Sequence, residues 1–202
     1  MGFITRSWKS ASPGPCLLAA KARALVAVGL WLLAIHASLA RADGITVRSA
    51  DLTLVDAVYQ LNADFDIHFS PSLKGALSKG VPLVFEIDFD VTRPHSYWFS
   101  QEVVHVSQTV RLSYDALTRQ YEVSVDGAHK NFESFAAARD DLARVRDWQV
   151  FARKRLQRNT AYRAGLRLFL DVSSLPKPLQ INALASDDWN LDSGWFVWPL
   201  SP

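Results

Sequence analysis

Leu83, Phe85, Ile87, Phe89 and Val91 alternate with Val84, Glu86, Asp88 and Asp90. Successive side chains on a strand point to opposite faces, so this period of two predicts a long half-buried β-strand. Leu61, Ala63, Phe65, Ile67 and Phe69 repeat the pattern against Asn62, Asp64, Asp66 and His68. Val104, Val106, Val110, Leu112 and Tyr114 share a face that Gln108 interrupts. Tyr121, Val123 and Val125 follow after the turn-like Leu117-Thr118-Arg119. Tyr162, Ala164, Leu166, Leu168 and Leu170 form another long strand, Ile45 to Leu54 the first, and Trp195 to Trp198 a short last one.

Two segments leave this rhythm. Pro71 to Lys79 reads as a short helix, with Ser70 able to cap it, Pro71 suited to its first turn and Gly80 to its end. Ser134 to Arg146 spaces Phe135, Ala138, Leu142 and Val145 near three and four, with Arg139, Asp140, Asp141 and Arg144 opposite. Ser173 to Gln180, with Pro176 and Pro178, reads as a loop. The fold class that follows is mainly β: an antiparallel β-sandwich or open barrel with two peripheral helices.

The apolar run from Ala24 to Ile35 belongs to something else. Lys21 and Arg23 precede it, and Ala40-Arg41-Ala42 closes it. A positive start, a short apolar core and an Ala-x-Ala exit make a secretory signal peptide. The core is about 12 residues, short of the roughly 20 that a membrane-spanning helix needs. Cleavage is expected after Ala42, with Ala40 the other candidate. The expected organisation is a cleaved signal at 1–42 and a single β-rich domain at 43–202, working in the periplasm with no integral membrane segment in the mature chain. Cys16 lies ahead of the apolar run, whereas a lipid-anchoring cysteine would sit at its exit.

Removing that segment changes the charge. Residues 1–42 hold five basic residues and no acidic ones, leaving 17 basic against 20 acidic, a net of −3, in 43–202. A broad basic surface for nucleic acid loses its support. Cys16 is the only cysteine, so the mature domain has no disulfide, thiol nucleophile or cysteine metal site.

Asp64 and Asp66 form one acidic ladder, and Glu86, Asp88 and Asp90 another. If their strands paired, five carboxylates would share a face and could attract a hard cation. The competing reading is a solvated outer face neutralised by Arg111, Arg163 and Arg167. His68, His95, His105 and His129 show no metal-ligand spacing, and no nucleophile elbow or phosphate-binding loop occurs. The expectation is therefore no enzyme activity, catalytic residue, metal or cofactor. Trp189, Trp195 and Trp198 crowd the C-terminus. A strand that is aromatic on both faces is either buried on both sides or offers one to a partner. Arg93 and Trp98, in Arg93-Pro94-His95-Ser96-Tyr97-Trp98-Phe99, are the other candidates for a partner contact.

Leu73-x-x-x-Leu77-x-x-Gly80-Val81-Pro82-Leu83-x-Phe85 is followed by Arg93 and Trp98, then by Leu112-Ser113-Tyr114-x-x-Leu117-Thr118-x-Gln120-Tyr121. Leu170-Asp171-x-x-x-Leu175-Pro176-x-Pro178-Leu179 and Asp188-Trp189-x-Leu191-x-Ser193-x-Trp195 complete the series. In order and spacing these segments resemble domain-of-unknown-function family 4390, exported proteins of Gram-negative bacteria, over nearly the whole mature chain. The family has no assigned activity, so no catalytic residue carries over. Its genes often stand beside a nitrogen-regulation-type sensor histidine kinase. The resemblance thus implies a periplasmic accessory to two-component signalling. The leading functional reading is a non-enzymatic binding protein with a periplasmic or membrane-protein partner. The alternative is a carrier of a lipid or other small ligand held between the sheets.

Overall fold

Alternating apolar and polar residues form long strands because each can then bury one face and leave the other in water. The computed structural model describes residues 44–96 and 99–202. Among them are nine strands: β1 (Gly44–Val55), β2 (Val58–His68), β3 (Leu83–Ser96), β4 (Phe99–Asp115), β5 (Gln120–Val125), β6 (Ala128–Phe132), β7 (Arg144–Ala152), β8 (Tyr162–Leu170) and β9 (Phe196–Leu200). They build two antiparallel sheets. One runs β1-β2-β7 and the other β6-β5-β4-β3-β8-β9. Neither closes on itself, so the fold is the expected antiparallel sandwich or open barrel.

The core lies between the sheets. Phe89 of β3 stacks against Phe151 of β7 with ring centroids 6.1 Å apart, and Phe151 stacks in turn on Tyr59 of β2 at 4.7 Å. Leu61, Phe65 and Ile67 on one sheet face Phe85, Ile87, Leu166 and Leu168 on the other, all buried. At roughly 1.5–3 kcal/mol for each buried side chain, these residues dominate stability.

Three helices, α1 (Pro71–Ser78), α2 (Phe135–Leu142) and α3 (Lys177–Ala185), lie among the described residues. Three strands cannot cover six. Helix α2 fills part of the shortfall, setting Phe135 against Tyr121 of β5 at 5.9 Å and against Phe69 at 5.1 Å.

Several boundaries differ from the sequence reading. The helix expected through Arg146 ends at Leu142, and β7 begins at Arg144, because Val145 pairs with Ala63 and Trp148 with Leu61. The register of this pair shifts twice, which breaks the period of two and hides β7 in the sequence. The segment read as a loop, Ser173 to Gln180, takes in the end of a 3-10 turn (Val172–Ser174) and the start of α3. Its prolines occupy the cap and first turn, where a helix needs no N–H from them. The last strand runs to Leu200 rather than Trp198.

The acidic ladders do not meet. Strand β2 belongs to one sheet and β3 to the other, and their apolar sides face the shared core. Asp64 and Asp66 therefore point away from Glu86, Asp88 and Asp90. Among the described residues, no group of three or more His, Asp or Glu is placed to hold a metal ion.

Candidate functional site

Strand β9 is one edge of the six-stranded sheet, paired to β8 alone. Its register places Phe196 opposite Leu166, Trp198 opposite Ala164 and Leu200 opposite Tyr162, all inward-facing partners. Trp198 packs at 6.2 Å from Phe89 and at 5.7 Å from Phe196. Val197 stands opposite Gly165, on the outer face. Trp195, Phe196 and Val197 remain 45%, 38% and 54% exposed. Three consecutive large apolar residues in water on an unpaired edge are unusual, because edges are ordinarily blunted by charge or proline. Pro199 supplies part of that protection: it removes one donor from the end of the strand.

A local irregularity turns Trp195 outward. Phe169 bridges to Asp192, and Leu166 pairs with Phe196. Three residues, Ser193, Gly194 and Trp195, thus oppose two, Arg167 and Leu168. Gly194 takes the extra turn at φ 62°, a region open to glycine without strain. Asp192 holds the turn. Its carboxylate accepts from Gly194 N at 2.8 Å and from Arg167 Nε and Nη2 at 2.9 and 2.5 Å. The guanidinium keeps the Asp192 carboxyl below the usual carboxylate range.

Asp90 lies beside Trp195, across the bare backbone of Gly165. Burial pushes its carboxyl above the usual range, and the nearby Glu102 and Asp88 push the same way, while His105 opposes them. This carboxylate has less cationic company than those on the other sheet. There Arg146 bonds Asp64 at 2.5 Å and Arg48 bonds Asp66 at 2.5 Å, and both carboxyls are lowered. These cations differ from those expected. Arg167 stands opposite Asp88 but bonds Asp192, while Arg111 and Arg163 face Val84 and Thr92.

The sequence-derived contact residues separate in space. Trp195 and Trp198 meet the outer and inner sides of the β9 edge. Trp189 is 7% exposed and packs into the core. Arg93, near the C-terminal end of β3 and two strands in from β9, donates to Gln101 at 2.8 Å and to Gln157 at 3.3 Å. Trp98 lies outside the described residues, as does the segment 1–42, read from the sequence as a signal.

A second feature lies apart from the sequence-derived candidates. An open cleft of about 680 Å³ lies between β7 and the inner faces of β4, β5 and β6. Val110, Val123, Val125 and Trp148 line it, with the Lys130–Asp141 ion pair, Arg144 and Arg146. Gln108 also lines it and donates to Asp126 at 2.7 Å. The polar residue interrupting an apolar strand was the sequence signal for this opening.

The family model described as a domain of unknown function (DUF4390) matches residues 42–199. No curated protein and no solved structure gives a significant match.

Proposed function

The chain belongs to the domain-of-unknown-function family DUF4390, and on that premise we propose that it is an exported, non-enzymatic binding protein that docks a protein partner along β9. The observation that carries this reading is the exposed run Trp195-Phe196-Val197 on a strand with a free edge. An extended partner segment could add to the edge through main-chain hydrogen bonds and draw specificity from the alternate side chains. Aromatic anchors of this kind carry much of the binding energy in protein interfaces. The partner proposed is the extracytoplasmic part of a membrane sensor, in keeping with the signalling association that the family resemblance implies. Work in the periplasm after removal of residues 1–42 is part of the same proposal.

The cleft beside β7 favours a second reading, a carrier of a lipid or small ligand. It ranks behind, because Val110 and Val123 are already buried and charged side chains make up much of the wall. A photoreactive amino acid at Val197, followed by crosslinking in cells and mass spectrometry, tests the first reading. A sensor captured at Val197 but not at a control position such as Ser107 is the expected result. Equal capture at both positions, or none at Val197, would remove the β9 contact.

A further inference from the structure

The end of the molecule away from α1 carries the densest positive charge of the domain. Arg153, Lys154, Arg155 and Arg158 fall within six residues, and no acidic residue lies between Asp147 and Asp171. All four are exposed, and none makes an ion pair among the described residues. In a mature chain of net charge −3 this clustering is a local reversal of sign.

The basic segment is held in place. Arg153–Arg155 forms a 3-10 turn, closed by Leu156 N donating to Arg153 O at 3.0 Å. Leu156 is buried, and Gln157 N donates to the Tyr162 hydroxyl at 3.0 Å. Arg153 N donates to Ala57 O at 2.9 Å. Ala57 belongs to the β1–β2 turn, so the cations sit against the tip of that hairpin. The tip exposes two aliphatic side chains beside one acid. Leu54 and Val55 are 41% and 40% exposed, with Asp56 the acid within the turn.

Exposed aliphatic side chains beside unpaired cations suit a surface that has negative charge outside and hydrocarbon beneath. We propose that this corner docks the protein on an anionic phospholipid bilayer, with Arg153, Lys154, Arg155 and Arg158 meeting phosphates and Leu54 and Val55 entering the headgroup region. Charge complementarity selects the bilayer: each cation near such a surface is worth roughly a fivefold gain in partition, and a single shallow apolar tip adds a modest share. The β9 contact through Trp195, Phe196 and Val197 uses neither the β1–β2 hairpin nor the basic turn, so either surface can fail without the other.

Co-sedimentation of the 43–202 chain with phosphatidylglycerol–phosphatidylcholine vesicles tests it. Binding to these vesicles is expected, with little to pure phosphatidylcholine and a steep decline between about 0.05 and 0.5 M salt. The triple variant R153E/K154E/R155E should lose roughly a hundredfold or more in partition. L54S/V55S, which leaves every cation in place, should lose several-fold, and its circular dichroism should match the wild type. Equal binding to both vesicle types, or indifference to the triple variant, would overturn the proposal. So would capture by poly-glutamate without capture by the anionic vesicles, which would make the corner a surface for acidic protein.

Discussion

Asp90 and Gly165 occupy a single site between them. A Cβ built on Gly165 would stand 2.3 Å from Asp90 Oδ1 and 3.1 Å from Trp195 Cε3. The missing side chain on β8 lets a carboxylate from β3 and an indole from the β9 approach lean over the same backbone. Gly165→Ala must therefore displace both. The Asp90 carboxylate can rotate, but the indole has to shift by a few tenths of an ångström. A loss of about 1 kcal/mol is expected, at the low end for overpacking because the two neighbours are side chains and Trp195 is half-exposed. Thermal unfolding measures it, and Gly165→Val should lose more.

Asp90→Asn is expected to stabilise the protein at neutral pH. The folded carboxyl is raised, chiefly by burial, so the folded state binds its proton more readily than the unfolded one. Stability then falls as pH rises through the window from the ordinary Asp range up to the raised value. Asparagine removes that penalty. Melting curves should show the variant above wild type at pH 7, with the difference vanishing below the ordinary carboxylate range. A variant less stable than wild type at pH 7 would contradict the assignment.

Asp192→Asn should loosen the C-terminal edge. It removes the paired hydrogen bonds from Arg167 and leaves a half-buried guanidinium with only the more distant Asp88 for charge. Roughly 1–2 kcal/mol is expected, above an exposed pair because the geometry is bidentate and partly buried. Asp192 is lowered by Arg167, so its contribution is present above the unfolded Asp range and disappears as pH falls through the depressed value. Hydrogen exchange should quicken across Phe196–Leu200 more than across β3.

Ser70→Ala should damage a buried junction. The hydroxyl accepts from Leu73 N at 3.2 Å, capping α1, and donates to Asp188 O at 2.7 Å. Its side chain is fully buried, so Leu73 N would lose a hydrogen bond away from water, and Asp188 O one in a partly buried setting. About 1–3 kcal/mol is expected, read as about 2–4 °C in melting temperature per kcal/mol for a domain of this size. Ser70→Thr should recover part of it if the extra methyl fits.

The strands legible in the sequence are those with one face in the core and one in water. β2, β3 and β8 repeat at two with few interruptions, because burial acts on every second residue. β6 escaped because it is an exposed edge, with no buried face to mark it. β7 escaped because two register shifts spoil its period. Of the site, the aromatic run and the split of its faces were readable, whereas the burial of Trp189 and the pairing of Gly165 with Asp90 were not. Each depends on which strand lies next door.

Patterning along the chain alone determined that this is an antiparallel β protein, which side chains line its strands and that helices begin near Ser70 and Ser134. Those properties are local, set by backbone geometry and by the preference of apolar groups for one face. Tertiary structure alone decided that the two acidic ladders point apart, that β9 is an edge with Trp195 turned outward, and that four cations flank an apolar hairpin tip. Contacts such as these join residues about 30 to 100 positions apart, and only the pairing order of the two sheets brings them together.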